Sequence, residues 1–556
     1  MAEQNTQLKA PVRRRRIGFR PPSIWSAVAL VIAVIVVLPI GSILWMALNP
    51  EENIWPHLMA TTLPRYLKNS LVLSVSVGAL AAAMGTGAAW IVVMYRFPGS
   101  RVLQWLLLLP LAIPAYVGAY ALVDFLEYAG PVQTGLRDLF GWTSSRDYWF
   151  PQIRSLGAAV VVLAASLFPY VYLLARAAFR EQSGSTFEVA QALGAGPFAR
   201  FWRVGLPLAR PAIAAGVAVV MMETVSDFGV VDYFAVQTLT TGIFTTWLEM
   251  GNAGGAAQIA MVVLTLVFVL MALEKTSRSK SRFFRPSRHQ RPVAPVRLTG
   301  WAGWVATIAC TLPFLVGFVL PVGVIGSHAL ANAGEWLAPG LVRALVHTVA
   351  VGGIAALITV SAALAMVYGV RLSGRRLPRL LLPVSTIGYA APGAVLGVGI
   401  LIPLARLDHV LADTVERVTG YDPGLLLTGT AFAVVLAYVV RFFAIAQGAA
   451  DAAMGRVSPS LPMAARSLGR SAGGALRAVY FPLIRGSVGT ALLLVFVDSV
   501  KELPATLLLR PFNFNTLSTR VYEQASLEQI GAASPAALLV IGVGLIAVAM
   551  LARSSR

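Results

Sequence analysis

The stretch Glu188-Val-Ala-Gln-Ala-Leu-Gly194 is followed, nine residues later, by Val204-Gly-Leu-Pro207. The same pattern returns after 275 residues as Met463-Ala-Ala-Arg-Ser-Leu-Gly469, again with nine residues before Val479-Tyr-Phe-Pro482. We call these two stretches the islands, since each is a polar, arginine-containing segment between long apolar runs. Their fixed pattern and spacing predict that a partner outside the membrane binds both segments.

The composition excludes an ordinary soluble protein. Hydrophobic residues make up 57% of the chain, charged residues only 12%, and the mean hydropathy is +0.74. Soluble domains carry about 25% charged residues. Apolar runs near the length that crosses a bilayer as a helix recur along the whole chain, without the short alternation of a β-barrel strand. The sequence therefore predicts an all-α, polytopic membrane protein.

The hydropathy predicts about twelve transmembrane helices. They lie near 24–48, 67–95, 102–126, 156–179, 211–231, 256–273, 301–326, 342–370, 379–404, 425–449, 481–500 and 534–552. We expect a basic N-terminus (1–23), a first six-helix domain (24–274), a basic linker (275–298) and a second six-helix domain (299–556). Six spans per half give both halves the same orientation, which is a parallel repeat.

The charge distribution predicts the orientation. Lysine and arginine gather in cytoplasmic loops of membrane proteins, so the net charge of +20 indicates such loops rather than a nucleic-acid partner. The arginine-bearing islands follow four spans in each half, which places them inside. We therefore expect both termini, the linker and both islands to be cytoplasmic.

Acidic residues repeat at the same 275-residue offset beyond the islands. Glu223 corresponds to Asp498, and Asp227 corresponds to Glu502. Carboxylates at the end of a membrane helix are costly and usually face a protein interior or an aqueous path. Together with Lys501 they predict the lining of a central pathway. A structural alternative is that Lys501 pairs with Glu502 or Asp498 and that Asp227 caps a helix end.

The islands resemble the cytoplasmic EAA loop of ABC importer permeases. The first island matches at Glu188, Ala190, Gly194, Leu206 and Pro207, and the second matches at Ala464, Ala465, Gly469 and Pro482. In that family the loop forms a short coupling helix in a cleft of the ATPase subunit. Small residues permit close approach, Gly permits a left-handed backbone, and Pro can start the next helix. Met463 departs from the pattern by replacing the glutamate.

The stretches that follow resemble the ferric-iron branch of these permeases. They read Met222-Glu-Thr-Val-Ser-Asp-Phe-Gly229 and Lys501-Glu-Leu-Pro-Ala-Thr-Leu-Leu-Leu-Arg-Pro511. The resemblance covers essentially the whole chain. It implies a type I importer permease in a bacterial inner membrane, two copies of a cytoplasmic ABC ATPase, and a periplasmic or lipid-anchored solute-binding protein that delivers Fe³⁺.

The same resemblance implies an alternating-access mechanism. ATP and Mg²⁺ are expected on the partner ATPase, with no cofactor bound by this chain. ATPase closure would draw together the segments 188–203 and 463–478, while the binding protein would dock on the outer loops 49–66, 127–152, 232–255, 406–424 and 510–530. The sequence leaves the metal ligands unassigned, because the single cysteine and five histidines show no ligand spacing.

Other functions remain open at this point. Related permeases for thiamine, phosphonates or sugar phosphates are alternatives, although anionic cargo fits poorly beside the acidic residues. A twelve-span secondary transporter fits the hydropathy but does not predict the doubled island. The chain lacks a G-x-x-x-x-G-K-[S/T] phosphate loop, so it is not expected to hydrolyse ATP itself. No nucleophile–base set suggests a membrane enzyme.

Overall fold

A computed structural model describes residues 24–279, 293–373, 376–386, 388, 391–458 and 460–554. The predicted basic N-terminus (1–23), most of the predicted linker (280–292) and the last two residues lie outside the described residues.

The described part of the chain is almost entirely helical. The helices before the linker are α1 Ile24–Leu48, α2 Trp55–Ala60, α3 Leu63–Met94, α4 Ser100–Leu106, α5 Ala115–Leu126, α6 Pro131–Phe140, α7 Leu156–Arg180, α8 Gly184–Ala192, α9 Pro197–Arg200, α10 Leu206–Ser226, α11 Gly229–Tyr233, α12 Leu239–Phe244 and α13 Ala253–Ser279. Those after it are α14 Trp301–Phe314, α15 Leu320–Ala331, α16 Leu341–Ser373, α17 Arg376–Ser385, α18 Gly393–Thr419, α19 Ala431–Gly455, α20 Ser460–Ser467, α21 Ala472–Ala475, α22 Phe481–Lys501, α23 Pro504–Leu509, α24 Leu517–Ser526 and α25 Ile530–Ser554. Two short strands, β1 Tyr95–Arg96 and β2 Val296–Arg297, pair in parallel.

The predicted helical membrane architecture is confirmed. Eleven described helical segments are long and apolar enough to cross a membrane, and a bent pair of helices brings the number to twelve. The bent pair is the predicted third span, which turns by 95° between Ser100–Ala112 and Ala115–Phe140. The break falls at Ile113, whose extended backbone (φ −98°, ψ 125°) is the conformation that the following Pro114 favours.

The internal repeat extends to matching hydrogen bonds. The Ser70 hydroxyl on α3 accepts a hydrogen bond from the Leu239 N–H at 3.0 Å, which holds the start of α12. The Thr348 hydroxyl on α16 accepts one from the Leu517 N–H at 2.8 Å, which holds the start of α24. Both α12 and α24 begin with a threonine capping box. Each half therefore ties its second span to a short helix by the same contact.

The first span of each half packs across the repeat boundary. Helix α1 packs along α16 and α18, which belong to the second half, as well as along α13. Helix α15 packs against α5 of the first half and against α25. For the same reason, each of the two large buried apolar clusters contains residues from both halves. The two predicted six-helix domains are thus interlocked in the folded chain.

The helix after each island begins earlier than the sequence pattern predicts. A π-helical segment, Phe201–Gly205 in one half and Leu476–Tyr480 in the other, joins the short helix α9 or α21 to the long helix α10 or α22. Pro207 and Pro482 follow these segments, so they do not start a new helix after a loop. The wider π-turn compensates for the backbone hydrogen bond that proline cannot make.

One predicted outer loop, 406–424, is wrong in its first part because α18 continues to Thr419. Asp408 lies in the part of α18 that was predicted to be loop, and it is fully buried. It accepts hydrogen bonds from the backbone N–H groups of Leu426, Leu427 and Thr428 at 2.8–3.0 Å. Asp408 therefore folds the following connection back along the helix.

Candidate translocation pathway and coupling surface

The two islands fold alike. Each contains a short helix, α8 or α20, that ends two residues before the glycine of the island, and both Gly194 and Gly469 have φ +84°. The residue after each glycine donates its N–H to the carbonyl of the fifth residue before it, at 2.9 Å to Ala190 and 3.0 Å to Ala465. A right-handed helix thus ends at a single residue with a left-handed backbone, which glycine favours because it has no Cβ to clash.

The islands expose most of their predicted residues. Exposed are Glu188, Gly194, Pro207, Met463, Ala464, Gly469 and Pro482, whereas Ala190, Leu206 and Ala465 are half-buried. A leucine stands one residue before each glycine and is almost completely exposed, 83% for Leu193 and 85% for Leu468. Each island thus presents one exposed apolar side chain at the matching position.

A cavity of about 250 Å³ lies where the two halves meet. The ends of α10 and α22, the starts of α5 and α23, and the middle of α19 line it. All five predicted pathway residues belong to the lining, namely Glu223, Asp227, Asp498, Lys501 and Glu502, and Arg441 joins them. The 275-residue offset therefore brings corresponding acidic residues of the two halves to one space.

In the second half, Glu502 is held by an arginine that the sequence analysis did not single out. Its buried carboxylate contacts the Arg441 guanidinium at 3.1 and 3.2 Å, and also accepts the Ala505 N–H at 3.1 Å, capping α23. The alternative pairing of Lys501 with Glu502 is wrong. Lys501 instead donates to the Leu111 carbonyl at 2.6 Å. That carbonyl is available because the third span breaks just after it.

In the first half, Asp227 has no arginine partner among the described residues. Its carboxylate accepts the Val230 and Val231 N–H groups at 2.9 and 3.3 Å, so it caps α11 as the structural alternative predicted. The position equivalent to Arg441 is Ser166, which also lines the cavity. The acidic wall of the first half thus lacks the neutralising cation that the second half has.

Acidic side chains outnumber basic ones in the cavity lining. Its lining contains four carboxylates, from Glu223, Asp227, Asp498 and Glu502, and two cations, from Arg441 and Lys501. Within the part of the chain that the structure describes, Glu223 and Asp498 make no hydrogen bond or salt bridge. Those described residues also contain no group of three or more His, Cys, Asp or Glu arranged to hold a metal. The lining therefore holds twice as many acidic as basic side chains.

Contacts on the side of the cavity opposite the islands link the two halves. Within the first half, the Tyr120 and Tyr233 rings meet edge to face beside these contacts, with centroids 4.5 Å apart. The Tyr522 hydroxyl donates to the Asp232 carboxylate at 2.6 Å, joining α24 of the second half to α11 of the first. The two halves are thus joined by a direct hydrogen bond on the far side of the cavity.

Arg154 forms two ion pairs on the same side of the cavity. Its guanidinium contacts Glu127 of its own half and Glu528 of the second half, each at 3.0 Å, and lies over the Tyr233 ring. The hydrogen bond to Glu127 raises the pKa of the Arg154 guanidinium. Opening this side requires the contact to Glu528 to separate.

One signal in the sequence does point to Arg441. It lies in the middle of an apolar span, where a charged side chain is costly and therefore faces a partner or a cavity. The contacts of Lys501 with Leu111 and of Arg154 with Glu528 have no comparable signal, because they join residues 390 and 374 positions apart.

Comparisons with known proteins agree with this arrangement. The family described as binding-protein-dependent transport system inner membrane component matches residues 75–280. The Fe(3+)-transport system permease protein FbpB 2 of Haemophilus influenzae is 26% identical over 491 residues, which cover 85% of this chain and 87% of that protein. The chain resembles a fused ABC importer permease of the ferric-iron branch.

Further relatives of the permease divide into two kinds. The ferric transport system permease protein FbpB of Actinobacillus pleuropneumoniae is 23% identical over 80% of this chain and 64% of that protein. The molybdenum transport system permease protein ModB of Escherichia coli is 26% identical over only 37% of this chain, but over 91% of its own length. The second kind is thus about as long as one half of this permease.

Proposed function

We propose that the permease imports ferric iron, which a solute-binding protein delivers and a partner ATPase drives across the membrane. The observation that carries the proposal is the cavity between the halves, where four carboxylates outnumber two cations. Oxygen ligands suit a hard cation such as Fe³⁺. Loosely arranged carboxylates also suit transport, since cargo must bind well enough to enter and weakly enough to leave.

The two islands would couple this cavity to ATP hydrolysis. The short helix of each island ends at a glycine with a left-handed backbone, and each island exposes a leucine. Each island then continues through a π-helical segment into the long helix that carries acidic residues of the cavity. Two copies of the ATPase, one below each island, would move α10 and α22 together with the islands. The halves would then open the far side and separate Tyr522 from Asp232. ATP and Mg²⁺ would stay on the ATPase, and both termini of the permease would be cytoplasmic.

Radiolabelled Fe³⁺ uptake tests the cargo. Cells would carry the permease with the ATPase and solute-binding protein encoded next to it, and a Glu188→Ala/Gly469→Trp double variant would be the matched control. We expect uptake by the wild type only, with thiamine, phosphate esters and molybdate failing to compete. Loop-dependent ATPase activity without iron uptake would contradict the ferric cargo. It would direct the search first to thiamine, whose positive charge also fits the cavity.

The islands should bind the ATPase unequally. The exposed Glu188 gives the first island a carboxylate for contact with the ATPase, whereas Met463 gives the second island none. We expect Glu188→Ala to weaken ATPase binding roughly two- to fivefold, the scale of one surface ion pair, and Met463→Ala to change it less. Leu193→Ala and Leu468→Ala form the control pair, because their exposures are nearly equal and their losses should match. Equal weakening by Glu188→Ala and Met463→Ala in a co-purification assay would refute the asymmetry.

A further inference from the structure

Phe512 is a fully exposed aromatic side chain on the connection between α23 and α24, with a relative exposure of 101%. It lies four residues before Thr516, which caps α24. The same count back from Thr238, which caps α12, reaches Phe234, and this side chain is only 1% exposed. Equivalent phenylalanines are thus buried in the first half and fully exposed in the second.

The two connections share a turn but differ in length. The residue after each phenylalanine has a left-handed backbone, with φ 55° at Ala235 and φ 60° at Asn513, which is uncommon for residues other than glycine. The connection from Glu502 to Thr516 is three residues longer than that from Asp227 to Thr238. In the first half Phe234 folds inward from this turn. In the second half the added residues leave Phe512 outside.

The turn that carries Phe512 is held in place. The Arg510 guanidinium contacts the side chains of Asn515 and Glu523, and the Asn515 amide donates to Glu523 at 2.9 Å. The Phe514 ring stacks on His347 with centroids 4.0 Å apart. An aromatic side chain on a fixed turn loses little conformational freedom when it binds, which is the property of an interface anchor.

The position of the turn fits a partner on the side opposite the islands. Helix α22 leads from the second island to Lys501, and α25 returns, so the connection between them lies at the far side. Glu502 and Pro504, at the start of α23, line the cavity. Helix α23 has six residues, so the turn begins about 9 Å from the cavity wall.

We propose that Phe512 is an anchor that inserts into an apolar pocket on the solute-binding protein when that protein docks. This inference rests on the proposed function, which requires such a protein. Helices α23 and α24, on either side of the turn, pack on α19, α22 and α5, which line the central cavity. A protein surface over the pathway therefore fits Phe512 better than the lipid at the edge of the molecule.

The test measures how the solute-binding protein stimulates ATPase activity. The permease and its ATPase would be placed in lipid nanodiscs, and the probe would be the Fe³⁺-loaded solute-binding protein encoded next to this chain. We expect Phe512→Ala to raise the concentration for half-maximal stimulation by about tenfold or more, as loss of an interface hot spot does. Phe512→Trp should keep that concentration within about twofold, since it retains a large aromatic anchor.

Basal ATPase activity and thermal stability should be unchanged in both variants, because the Phe512 ring supports no other part of the fold. Leu527→Ala is the matched control, since Leu527 is 69% exposed on the same side but does not lie on this turn. It should leave the half-maximal concentration unchanged. Equal stimulation of Phe512→Ala and the wild type would overturn the docking role.

Two further results separate the possible failures. Stronger quenching of the Phe512→Trp variant than of the wild type by brominated lipids, with stimulation unaltered by Phe512→Ala, would overturn the proposal in favour of a membrane contact, because the twelve native tryptophans contribute to both. A wild-type permease whose islands support ATPase activity but which the loaded binding protein does not stimulate would refute the proposed function and this docking role together. Failure of the Phe512 variant alone to differ would refute only the docking role.

Discussion

Uptake should be abolished when tryptophan replaces Gly194 or Gly469, although the protein still inserts into the membrane. Both glycines have φ +84°, and a residue with a Cβ pays about 1–2 kcal/mol to adopt this left-handed conformation. Neither position has an atom within 4 Å of a built Cβ, so the fold has room for the side chain. The damage would therefore fall on the docking surface. Radiolabelled Fe³⁺ uptake and ATPase co-purification measure it.

Asparagine at the same positions is the conformational control. Asn tolerates the left-handed region better than other residues with a side chain, and it adds little bulk. Gly194→Asn and Gly469→Asn should keep much of the uptake that the tryptophan variants lose. Normal uptake by either tryptophan variant would remove the coupling role from that island. Equal loss by the asparagine variants would show that glycine is needed for closeness to the partner and not for its backbone conformation.

Removing the arginine partner of Glu502 should destabilise the permease strongly. In Arg441→Gln the Glu502 carboxylate, whose side chain is 4% exposed, stays buried without its countercharge. Breaking a buried pair from one side costs about 3–5 kcal/mol. We expect a clearly lower thermal unfolding temperature and poor recovery from the membrane, measured by size-exclusion chromatography after heating.

A double variant distinguishes charge from packing at this site. Arg441→Gln/Glu502→Gln removes both charges but keeps an oxygen that can accept the Ala505 N–H, so stability should largely return. Iron uptake should remain low, because the cavity has lost one carboxylate of its lining. If Arg441→Gln alone is as stable as the wild type, the Glu502 carboxylate does not depend on this arginine. If the double variant transports normally, Glu502 has no role in the path.

Much of the fold was predictable because hydropathy and internal repetition are local properties of the sequence. The apolar runs predicted the twelve spans, and the common offset predicted that Glu223 and Asp498 share one space, which the cavity confirms. The left-handed glycines were predictable as well, because glycine at a helix end between polar residues has few other reasons to recur. The roles of the islands and of the acidic residues remain proposals.

The contacts between spans were not predictable from these patterns. Three contacts join distant parts of the chain. Helix α1 packs on α16, Lys501 bonds to Leu111, and Arg154 contacts Glu528. The repeat itself misleads at Phe512, because its equivalent Phe234 is buried. A difference of three residues in a connection changes which side chain is presented, and sequence symmetry does not show this.

The sequence by itself determined the membrane class, the approximate number of spans, and which residues correspond between the halves. Each of these depends on composition, length or spacing along one chain. Only the tertiary structure decided that Glu502 pairs with Arg441, that Asp227 caps a helix without a cation, and that Tyr522 of the second half bonds to Asp232 of the first. These depend on how helices pack in three dimensions, because a buried charge takes whichever partner the packing brings within hydrogen-bond distance.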